Sequence, residues 1–490
     1  MKNNSLKGLR GCFILMLSML FVACFEDNDD NAVSASQISD FVWKGMNAAY
    51  LYKANVPDLA DDRFGNSDEY ASFLNDFETP EDCFESLIYA RQTVDKYSWI
   101  VDDYIALEQL FSGTTKSNGM SYGLFAFSST DENVYGYVRY VLPNTSAQAA
   151  SLERGTLFWG INGTQLTRAN YSSLLSSDSY TLNIGTYNDN GTETDTDDSI
   201  SSTEDSVSLT KTTYTANPVF KAEVLNVESE TIGYLMYNGF VSDFENELNA
   251  AFGNFNAANI DHLIVDLRYN PGGSVGTATV LGSLITGQFY DDLFVRLQYN
   301  DDLQATVSNL ESLNYRFTNR LGSGANLNSL NMLKVYFITS KNSASASELV
   351  INSLTPYLSE ANIKVFGDNT EGKSQASVTL YDSPNFSRSG ANPNHTYALQ
   401  PLVYITKNSL NVNVPSSGIP PDVQIRERIR NLGQLGDVNE PLLAAVLQDI
   451  LASRYSSINS YPISLIEVDS DQGLQPSLTG MYVTREFQQQ

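Results

Sequence analysis

Short apolar runs separated by glycine-rich turns recur through the second half of the chain. Residues 335–339 form a β-branched and aromatic run, residues 349–354 have helical apolar spacing, and residues 363–367 form a second short run. An uninterrupted apolar run of this length predicts a buried strand, whereas apolar positions three and four residues apart predict a helix. The pattern therefore predicts strand, tight turn, helix and strand, which is typical of an α/β domain.

The same kind of pattern extends on both sides of this unit. It predicts strands at 232–236, 263–268 and 397–405 and helices at 243–255 and 441–447. The run at 263–268 is almost wholly apolar, which is typical of a strand covered on both faces. We therefore expect an α/β core over residues 223–457, and we assign no structure to residues 458–490.

A helical region precedes this core. Residues 37–115 contain helical apolar spacing, most clearly between Ser36 and Lys53. The string Thr79-Pro80-Glu81-Asp82 is a good helix start, with an N-capping residue, proline in the first turn and acidic residues after it. The apolar positions that follow predict that this second helix continues to Ala90.

Residues 117–213 change character to glycine-rich sequence with short strand-like runs. Residues 122–127 and 138–141 predict strands, and residues 146–155 predict a short helix that ends at a glycine. Asn162-Gly163 then gives a hairpin signal. We interpret this region as a separate β-rich domain.

The N-terminus has the parts of a bacterial signal peptide. Basic residues precede a short apolar run at 13–22, which is shorter than the roughly 20 residues of a spanning helix. The string before Cys24 resembles a lipobox, which implies that residues 1–23 are removed and that Cys24 carries a lipid. The acidic stretch in 24–36 is interpreted as a solvated tether, and it also resembles the acidic signals of surface lipoproteins of the Bacteroidetes type.

Composition narrows the function classes. The 490-residue chain has a formal net charge of −28, which argues against a nucleic acid partner. Removal of Cys12 with the signal and lipidation of Cys24 leave Cys83 without a partner, so no disulfide is expected. The two histidines, His262 and His395, have no motif around them and are interpreted as structural or surface residues. No ligand spacing for a transition metal is present, and we expect no cofactor and no metal.

Ser345 lies where the predicted strand passes into the predicted helix. Its hydroxyl would stand at a helix N-terminus, where unpaired N–H groups favour developing negative charge. Ser345-Ala346-Ser347-Glu348 is also a capping box, in which the serine only caps the helix. Taken alone, the string fits the cap better than a nucleophile. Lys373 in the loop after residue 367 offers a base if burial lowers its pKa.

Three separated motifs resemble the C-terminal processing peptidases, or tail-specific proteases. They are the strings at 266–273 (D-L-R-Y-N-P-G-G), 345–348 (S-A-S-E) and 372–373 (G-K), and the turn at 418–422 (G-I-P-P-D) extends the likeness. The resemblance implies a multidomain α/β protein with a helical N-terminal domain, a PDZ-like β-rich domain and a crotonase-like ββα catalytic core. It also implies a serine endopeptidase.

The resemblance implies roles for individual residues. Ser345 would be the nucleophile and Lys373 its base, while backbone N–H groups of Gly272 or Gly273 and of Ala346 would form the oxyanion hole. Beyond the resemblance, Asp266 and Arg268 are expected to pair structurally beneath the site.

Two features depart from the family pattern near the base. Many members have a glutamine four residues after the lysine, where this chain has Ser377, with Gln375 two residues earlier. Either side chain is a candidate for orienting Lys373. Glu371 is a second concern, because a nearby carboxylate would raise the lysine pKa.

The β-rich domain resembles a PDZ domain, with Gly155-Thr156 in place of the usual Gly-Asp. A PDZ domain binds an extended peptide at a sheet edge and would hold substrate tails here. A plain β-domain without a groove is the alternative. Seven acidic residues between 189 and 205 could suit calcium, but a solvated hairpin tip fits the spacing better.

The sequence therefore predicts a lipid-anchored peptidase that cleaves proteins or peptides through an acyl-enzyme. We expect it at the bacterial outer membrane or the cell surface, held by the lipid on Cys24. The alternative is a catalytically inactive surface lipoprotein that keeps the fold and binds peptides or another ligand. The natural substrate and the oligomeric state are not predicted.

Overall fold

The computed structural model describes residues 35–192, 197–451, 465–472, 480–485 and 487. The predicted signal peptide, Cys24 and most of the acidic tether lie outside the described residues. Within the described ranges, no helix is both long enough and apolar enough to cross a bilayer.

The N-terminal region is mainly helical and contains one strand. Its elements are α1 (Ala35–Ala49), α2 (Ser67–Asn75), α3 (Pro80–Ser86), β1 (Trp99–Val101) and α4 (Tyr104–Phe111). Thr79 caps α3 by accepting a hydrogen bond from the Asp82 amide. The prediction that α3 reaches Ala90 is wrong, because the chain turns after Ser86 and Ala90 has a left-handed φ of 46°.

Residues 114–215 form the β-rich domain, closed by pairing of its first and last strands. Its elements are β2 (Thr114–Ser117), β3 (Met120–Ala126), β4 (Tyr135–Val141), α5 (Ser146–Ala149), β5 (Leu157–Ile161), β6 (Thr164–Gln165), α6 (Tyr171–Ser176), β7 (Ser179–Asn188), β8 (Ser199–Thr210) and β9 (Thr212–Thr215). The predicted hairpin at Asn162-Gly163 is confirmed, since β5 and β6 pair across it.

The predicted helix at 146–155 is too long. Helix α5 ends at Ala149, and Ser151 takes the left-handed conformation, with a φ of 56°. The Leu152 amide then donates to the Ala147 carbonyl at 3.1 Å, which closes a C-terminal turn before Gly155 is reached.

The core elements follow in chain order. They are β10 (Val219–Val227), β11 (Glu230–Tyr237), α7 (Glu245–Ala258), β12 (His262–Asp266), α8 (Val275–Thr286), β13 (Leu293–Gln298), α9 (Asp301–Thr306), β14 (Asn314–Arg316), β15 (Val335–Thr339), α10 (Ala346–Leu358), β16 (Ile363–Gly367), β17 (Gln375–Ser377), β18 (Leu380–Tyr381), β19 (Ala398–Gln400), β20 (Leu402–Lys407), β21 (Val423–Gln424) and α11 (Pro441–Ile450). Two further strands, β22 (Ile466–Ser470) and β23 (Met481–Tyr482), come from the region left unassigned by the sequence.

A six-stranded sheet carries the core, in the order β10-β11-β12-β15-β16-β21. The pairs β11–β12, β12–β15 and β15–β16 are parallel, with α7 and α10 as crossovers. Alternate strand residues face opposite sides: Leu263 and Val265 join the core beneath α8 and α10, whereas Ile264 joins the core under α11. The predicted α/β core is therefore confirmed.

The N-terminal helices are part of the main core. Apolar side chains of α1 and α3, among them Phe41, Met46 and Phe84, belong to the same buried cluster as those of α8 and α10. Strand β1 pairs with β19, which continues the attachment. The helical region also contacts the loop before β17, because the Tyr97 hydroxyl donates to Glu371.

Candidate active site

Two neighbouring parallel strands, β12 and β15, place the candidate site residues at one edge of the sheet. Strand β12 ends at Asp266 and leads into the turn at 270–273, and β15 ends at Thr339 and leads to Ser345. Ligand and catalytic sites in open α/β sheets lie outside the carboxyl ends of the strands. The Ala344 amide donates to the Asn270 carbonyl at 3.2 Å, which joins the two loops directly.

Ser345 is buried and its backbone is strained. Its φ is +60°, an uncommon value for a residue with a Cβ, and its side chain is fully inaccessible. The Oγ atom has no hydrogen-bond partner among the described residues. The predicted capping box is present: the Ser345 amide donates to Glu348 Oε2 at 2.7 Å, and the Ser345 side chain lies toward the Glu348 amide, although its hydroxyl is not within hydrogen-bond geometry of that amide.

The glycine turn approaches Ser345 closely. Gly272 has a φ of +116°, and a Cβ on it would lie 2.6 Å from the Ser345 Cβ. Its amide, however, donates to Asn270 Oδ1 at 2.9 Å. The amides of Gly273 and Ala346 make no hydrogen bond to any described residue, so of the three predicted oxyanion donors these two are the better placed.

Lys373 is buried at the same edge. Its side chain is 1% exposed, and its Nζ lies 4.2 Å from the centre of the Tyr97 ring. Burial lowers its pKa to about 7, against opposing contributions from the carboxylates of Asp95, Glu348 and Glu371. Part of the lysine population is consequently neutral near pH 7, as a general base requires.

Glu348 holds the serine and lysine segments together. Besides the Ser345 amide, it accepts hydrogen bonds from the amides of Gly372 at 2.7 Å and Lys373 at 2.9 Å and from the Thr370 hydroxyl at 2.5 Å. Burial raises its pKa, and these hydrogen bonds oppose that rise. The sequence identified Glu348 only as a cap, since local sequence pattern does not show its contacts with a loop 22 or more residues away.

The concern about Glu371 is answered by its partner. Its Oε1 accepts a hydrogen bond from the Tyr97 hydroxyl at 2.9 Å, and its effect on the pKa of Lys373 is smaller than that of burial. Tyr97 belongs to the N-terminal region and covers the lysine. It was missed in the sequence because the string around it matches no catalytic motif.

Neither candidate for orienting the base does so through a hydrogen bond. The Ser377 hydroxyl donates to the Met481 carbonyl at 3.2 Å and accepts from Gln400 Nε2 at 2.9 Å. Gln375 donates to the Tyr52 hydroxyl at 3.2 Å. Both residues lie on β17, where alternate side chains share a face, and both are engaged with other partners.

The predicted Asp266–Arg268 pair is confirmed beneath the turn. Arg268 Nη2 lies 2.8 Å from Asp266 Oδ2, and both side chains are fully buried. The guanidinium also contacts Glu440 at 2.7 Å and Glu427 at 3.1 Å. Each buried charge is thus paired, which fixes the strand end from which the glycine turn begins.

The histidines lie in other contacts. His262 Nε2 is 3.1 Å from Glu230, and His395 Nε2 is 2.9 Å from Asp382. No group of three or more potential metal ligands occurs within the ranges that the structure describes.

A cavity of about 380 Å³ leads to the glycine turn. It lies between the β-rich domain and the core and is lined at one end by Gly272 and Gly273 and at the other by Tyr122, Leu175 and Tyr180. Its walls are largely aromatic and aliphatic, which suits a peptide side chain.

The chain matches two descriptions of protein families. Residues 231–425 match peptidase family S41, and residues 37–99 match the peptidase S41 N-terminal domain. Together these segments make up just over half of the chain.

Curated and solved proteins that are similar to this chain were also found. Two Staphylococcus epidermidis proteins named "Probable CtpA-like serine protease" are 27% identical over 159 residues and 28% identical over 153 residues. These alignments cover 32% and 31% of this chain but only 28% and 27% of those relatives. A solved Bacteroides fragilis structure, described as "Putative S41 protease", superposes on this chain with a TM-score of 0.62 at 23% identity. The superposition covers 84% of this chain and 97% of that one.

The matched segments define the class as that of the S41 peptidase-like proteins, with a mixed α/β multidomain fold. Within that class, the chain belongs to peptidase family S41 and carries the N-terminal domain of that family.

Proposed function

We propose that the protein is a serine endopeptidase that cleaves proteins or peptides, including sites near their C-termini, through Ser345 and Lys373. The observation that carries the proposal is the shared anchor: one buried carboxylate, Glu348, binds the backbone of both residues. Among the described residues the serine hydroxyl has no hydrogen-bond partner, and the lysine pKa is lowered to about 7. A structural cap would need neither feature.

The chemical steps follow from these positions. Neutral Lys373 takes the Ser345 proton as Oγ attacks the substrate carbonyl, and the carbonyl oxygen becomes an oxyanion. The amides of Gly273 and Ala346 donate to that oxyanion. The C–N bond then breaks, and the leaving amine takes the proton from Lys373. Water, deprotonated by the same lysine, hydrolyses the acyl-enzyme and regenerates the serine.

The lysine must move for the first step. The Ser345 hydroxyl has no hydrogen-bond partner among the described residues, so Lys373 Nζ is not bonded to it in this conformation. Catalytic hydrogen bonds are often loose without substrate and tighten in the complex.

Within family S41 we place the protein among the C-terminal processing peptidases. We also propose that it is a Bacteroidetes-type lipoprotein, which the lipid on Cys24 anchors at the outer membrane or cell surface. The lipobox-like string before Cys24 and the acidic stretch after it support the anchor. The β-rich domain, as a PDZ-like module, would hold the substrate tail. The cavity that joins this domain to the glycine turn supports that role.

The proposal is tested by hydrolysis of an unfolded protein by the chain from Phe25 onward. Ser345→Ala and Lys373→Ala should each reduce the rate by at least about 1,000-fold, because each removes a group of the covalent mechanism. Circular dichroism must show that both variants fold.

Matched controls are available close to the site. Ser353→Ala removes another buried hydroxyl of the same helix, one that has no hydrogen-bond partner in the described part of the chain, and Lys364→Ala removes a lysine of β16. Both should retain activity. Cleavage that survives Ser345→Ala would refute the mechanism, and a folded wild type that binds peptide without cleaving it would favour the inactive binding lipoprotein.

A further inference from the structure

Residues 465–472 form an additional strand on the β-rich domain. Strand β22 pairs antiparallel with β3, with Glu467 opposite Phe125 and Ser470 opposite Gly123. The other edge of β3 pairs with β4, so β22 covers the edge that would otherwise be open. Adding an extended segment to an open sheet edge is the way PDZ domains bind peptides.

Side chains of the segment fill a groove between β3 and α6. Val468 packs against the apolar core of the β-rich domain. On the α6 side, the Tyr171 hydroxyl donates to Asp469 Oδ2 at 2.9 Å. The pairing continues past the strand, because the Asp471 amide donates to the Tyr122 carbonyl at 3.2 Å. The segment thus makes both backbone and side-chain contacts of the kind a bound peptide makes.

A buried arginine reaches β22 from the opposite face of the sheet, where it stacks over Tyr269 of the core. Arg139 is 1% exposed, and its Nη2 contacts Glu467 at 3.1 Å while its Nη1 lies 3.9 Å from Asp471. Its Nε and Nη1 atoms have no hydrogen-bond partner among the described residues. A buried guanidinium is costly without an opposite charge, so a segment that brings a carboxylate to Arg139 is favoured at this strand edge.

The segment also borders the candidate active site. Asp471 and Gln472 line the cavity that ends at Gly272 and Gly273. On its other side, Ser470 and Gln472 line a second cavity, of about 290 Å³, with Tyr97 and Ala344. The segment therefore stands between the β-rich domain and the loops that carry Ser345 and Lys373.

We propose that the edge of β3 beside α6 is a docking groove for extended acidic peptides, read by Arg139, and that residues 465–472 are its internal occupant. A peptide of the substrate binds there by displacing this segment. Because the groove continues into the cavity at the glycine turn, a displacing peptide would be directed toward Ser345. The inference rests on the proposed function for the peptide being a substrate, but its binding step does not.

The test is a binding measurement that needs no catalysis. A fluorescent peptide with the sequence of residues 465–472 is titrated into the chain from Phe25 onward carrying Ser345→Ala, and fluorescence anisotropy is recorded. The tethered segment competes at an effective concentration in the millimolar range, so binding to this parent should be weak. Adding Val468→Asp, which places a charge against the apolar core, should tighten binding by at least about 10-fold.

Three further arms keep the result interpretable. Glu467→Lys places a second positive charge beside Arg139 and should therefore release the segment as Val468→Asp does. It replaces Val468→Asp in the experiment if that variant misfolds. Val412→Asp makes the same change at an exposed position and should leave binding at the parent level. A peptide with lysine at the positions of Glu467 and Asp471 should bind at least about 10-fold more weakly.

The outcomes separate this inference from the catalytic one. Equal binding by the parent and both releasing variants would refute the internal occupant. Equal binding of the acidic and the lysine-substituted peptides would refute reading by Arg139. Either result would leave the hydrolysis experiment with Ser345→Ala unaffected.

Discussion

Burial decides the protonation of Lys373 more than any single neighbour does. Three carboxylates, of Asp95, Glu348 and Glu371, each favour the charged form, yet the pKa falls to about 7 because the side chain is removed from water. The sequence suggested that Glu371 could prevent catalysis. In the structure, the Glu371 carboxylate accepts a hydrogen bond from the Tyr97 hydroxyl, and burial lowers the pKa of Lys373 by more than Glu371 raises it.

This balance predicts a pH profile. Since the neutral amine is the base, kcat/KM should rise with pH through about 7. In Glu371→Gln one charge that raises the lysine pKa is lost, while an amide oxygen remains to accept the Tyr97 hydroxyl. The midpoint should therefore move to lower pH by a few tenths of a unit. Glu360→Gln, which changes an exposed carboxylate on the surface, should leave the midpoint in place. A shift to higher pH in Glu371→Gln would contradict this account of Lys373.

At the scale of elements, the site depends on two loops that touch. The glycine turn after β12 and the start of α10 approach until no side chain fits between them. Ser345 is held at a positive φ there, with its amide bonded to Glu348 and its hydroxyl without a hydrogen-bond partner among the described residues. Strained backbone of this kind persists only where the surroundings impose it.

Gly272→Ala tests that contact. A Cβ would lie 2.6 Å from the Ser345 Cβ and 3.1 Å from the Ala344 carbonyl, at a φ of +116° that alanine rarely adopts. We expect kcat to fall by at least about 100-fold as the oxyanion donors and the nucleophile separate. Gly276→Ala is the matched control, because its Cβ would meet only the Ser274 hydroxyl, at 3.4 Å. Near-normal hydrolysis by Gly272→Ala would show that the turn does not position the reaction.

At the scale of the whole molecule, buried charges link the β-rich domain to the core. Arg154 of the β-rich domain contacts Glu427 at 2.5 Å and the Tyr269 hydroxyl at 2.8 Å. Glu427 also contacts Arg268, the arginine beneath the glycine turn. Burial alone would raise the pKa of Glu427, but Arg154 and Arg268 lower it to about 2.

The depressed pKa predicts a pH-dependent contribution to stability. The ionised form of Glu427 stabilises the fold above the unfolded value of about 4.3, and this contribution disappears as pH falls toward 2. Glu427→Gln should therefore lower the free energy of unfolding by about 3 kcal/mol at pH 7, with the difference from wild type shrinking below pH 4. Denaturant unfolding at several pH values measures it, and Glu204→Gln on exposed β8 serves as the control. A difference that stays constant down to pH 2 would contradict the coupling.

The sequence by itself determined the local elements and the candidate chemistry of this protein. The predicted strands at 335–339 and 363–367 occur with those bounds. A strand whose two faces are both covered needs apolar side chains at most of its positions, and these runs supply them. The sequence also predicted the Asp266–Arg268 pair, and its motifs identified Ser345, Lys373 and the glycine turn as candidate site residues. It failed where a chain reversal ended a helix early, at Ser86 and Ala149.

Only the tertiary structure decided how these residues act on one another. Glu348 joins the serine and lysine loops, Tyr97 arrives from the N-terminal region, and β22 comes from a tail to which the sequence assigned no structure. Only the tertiary structure shows that Ser377 and Gln375 bond to residues other than Lys373. Hydrogen bonds, desolvation and charge pairing depend on distances in space, and local sequence pattern does not contain those distances.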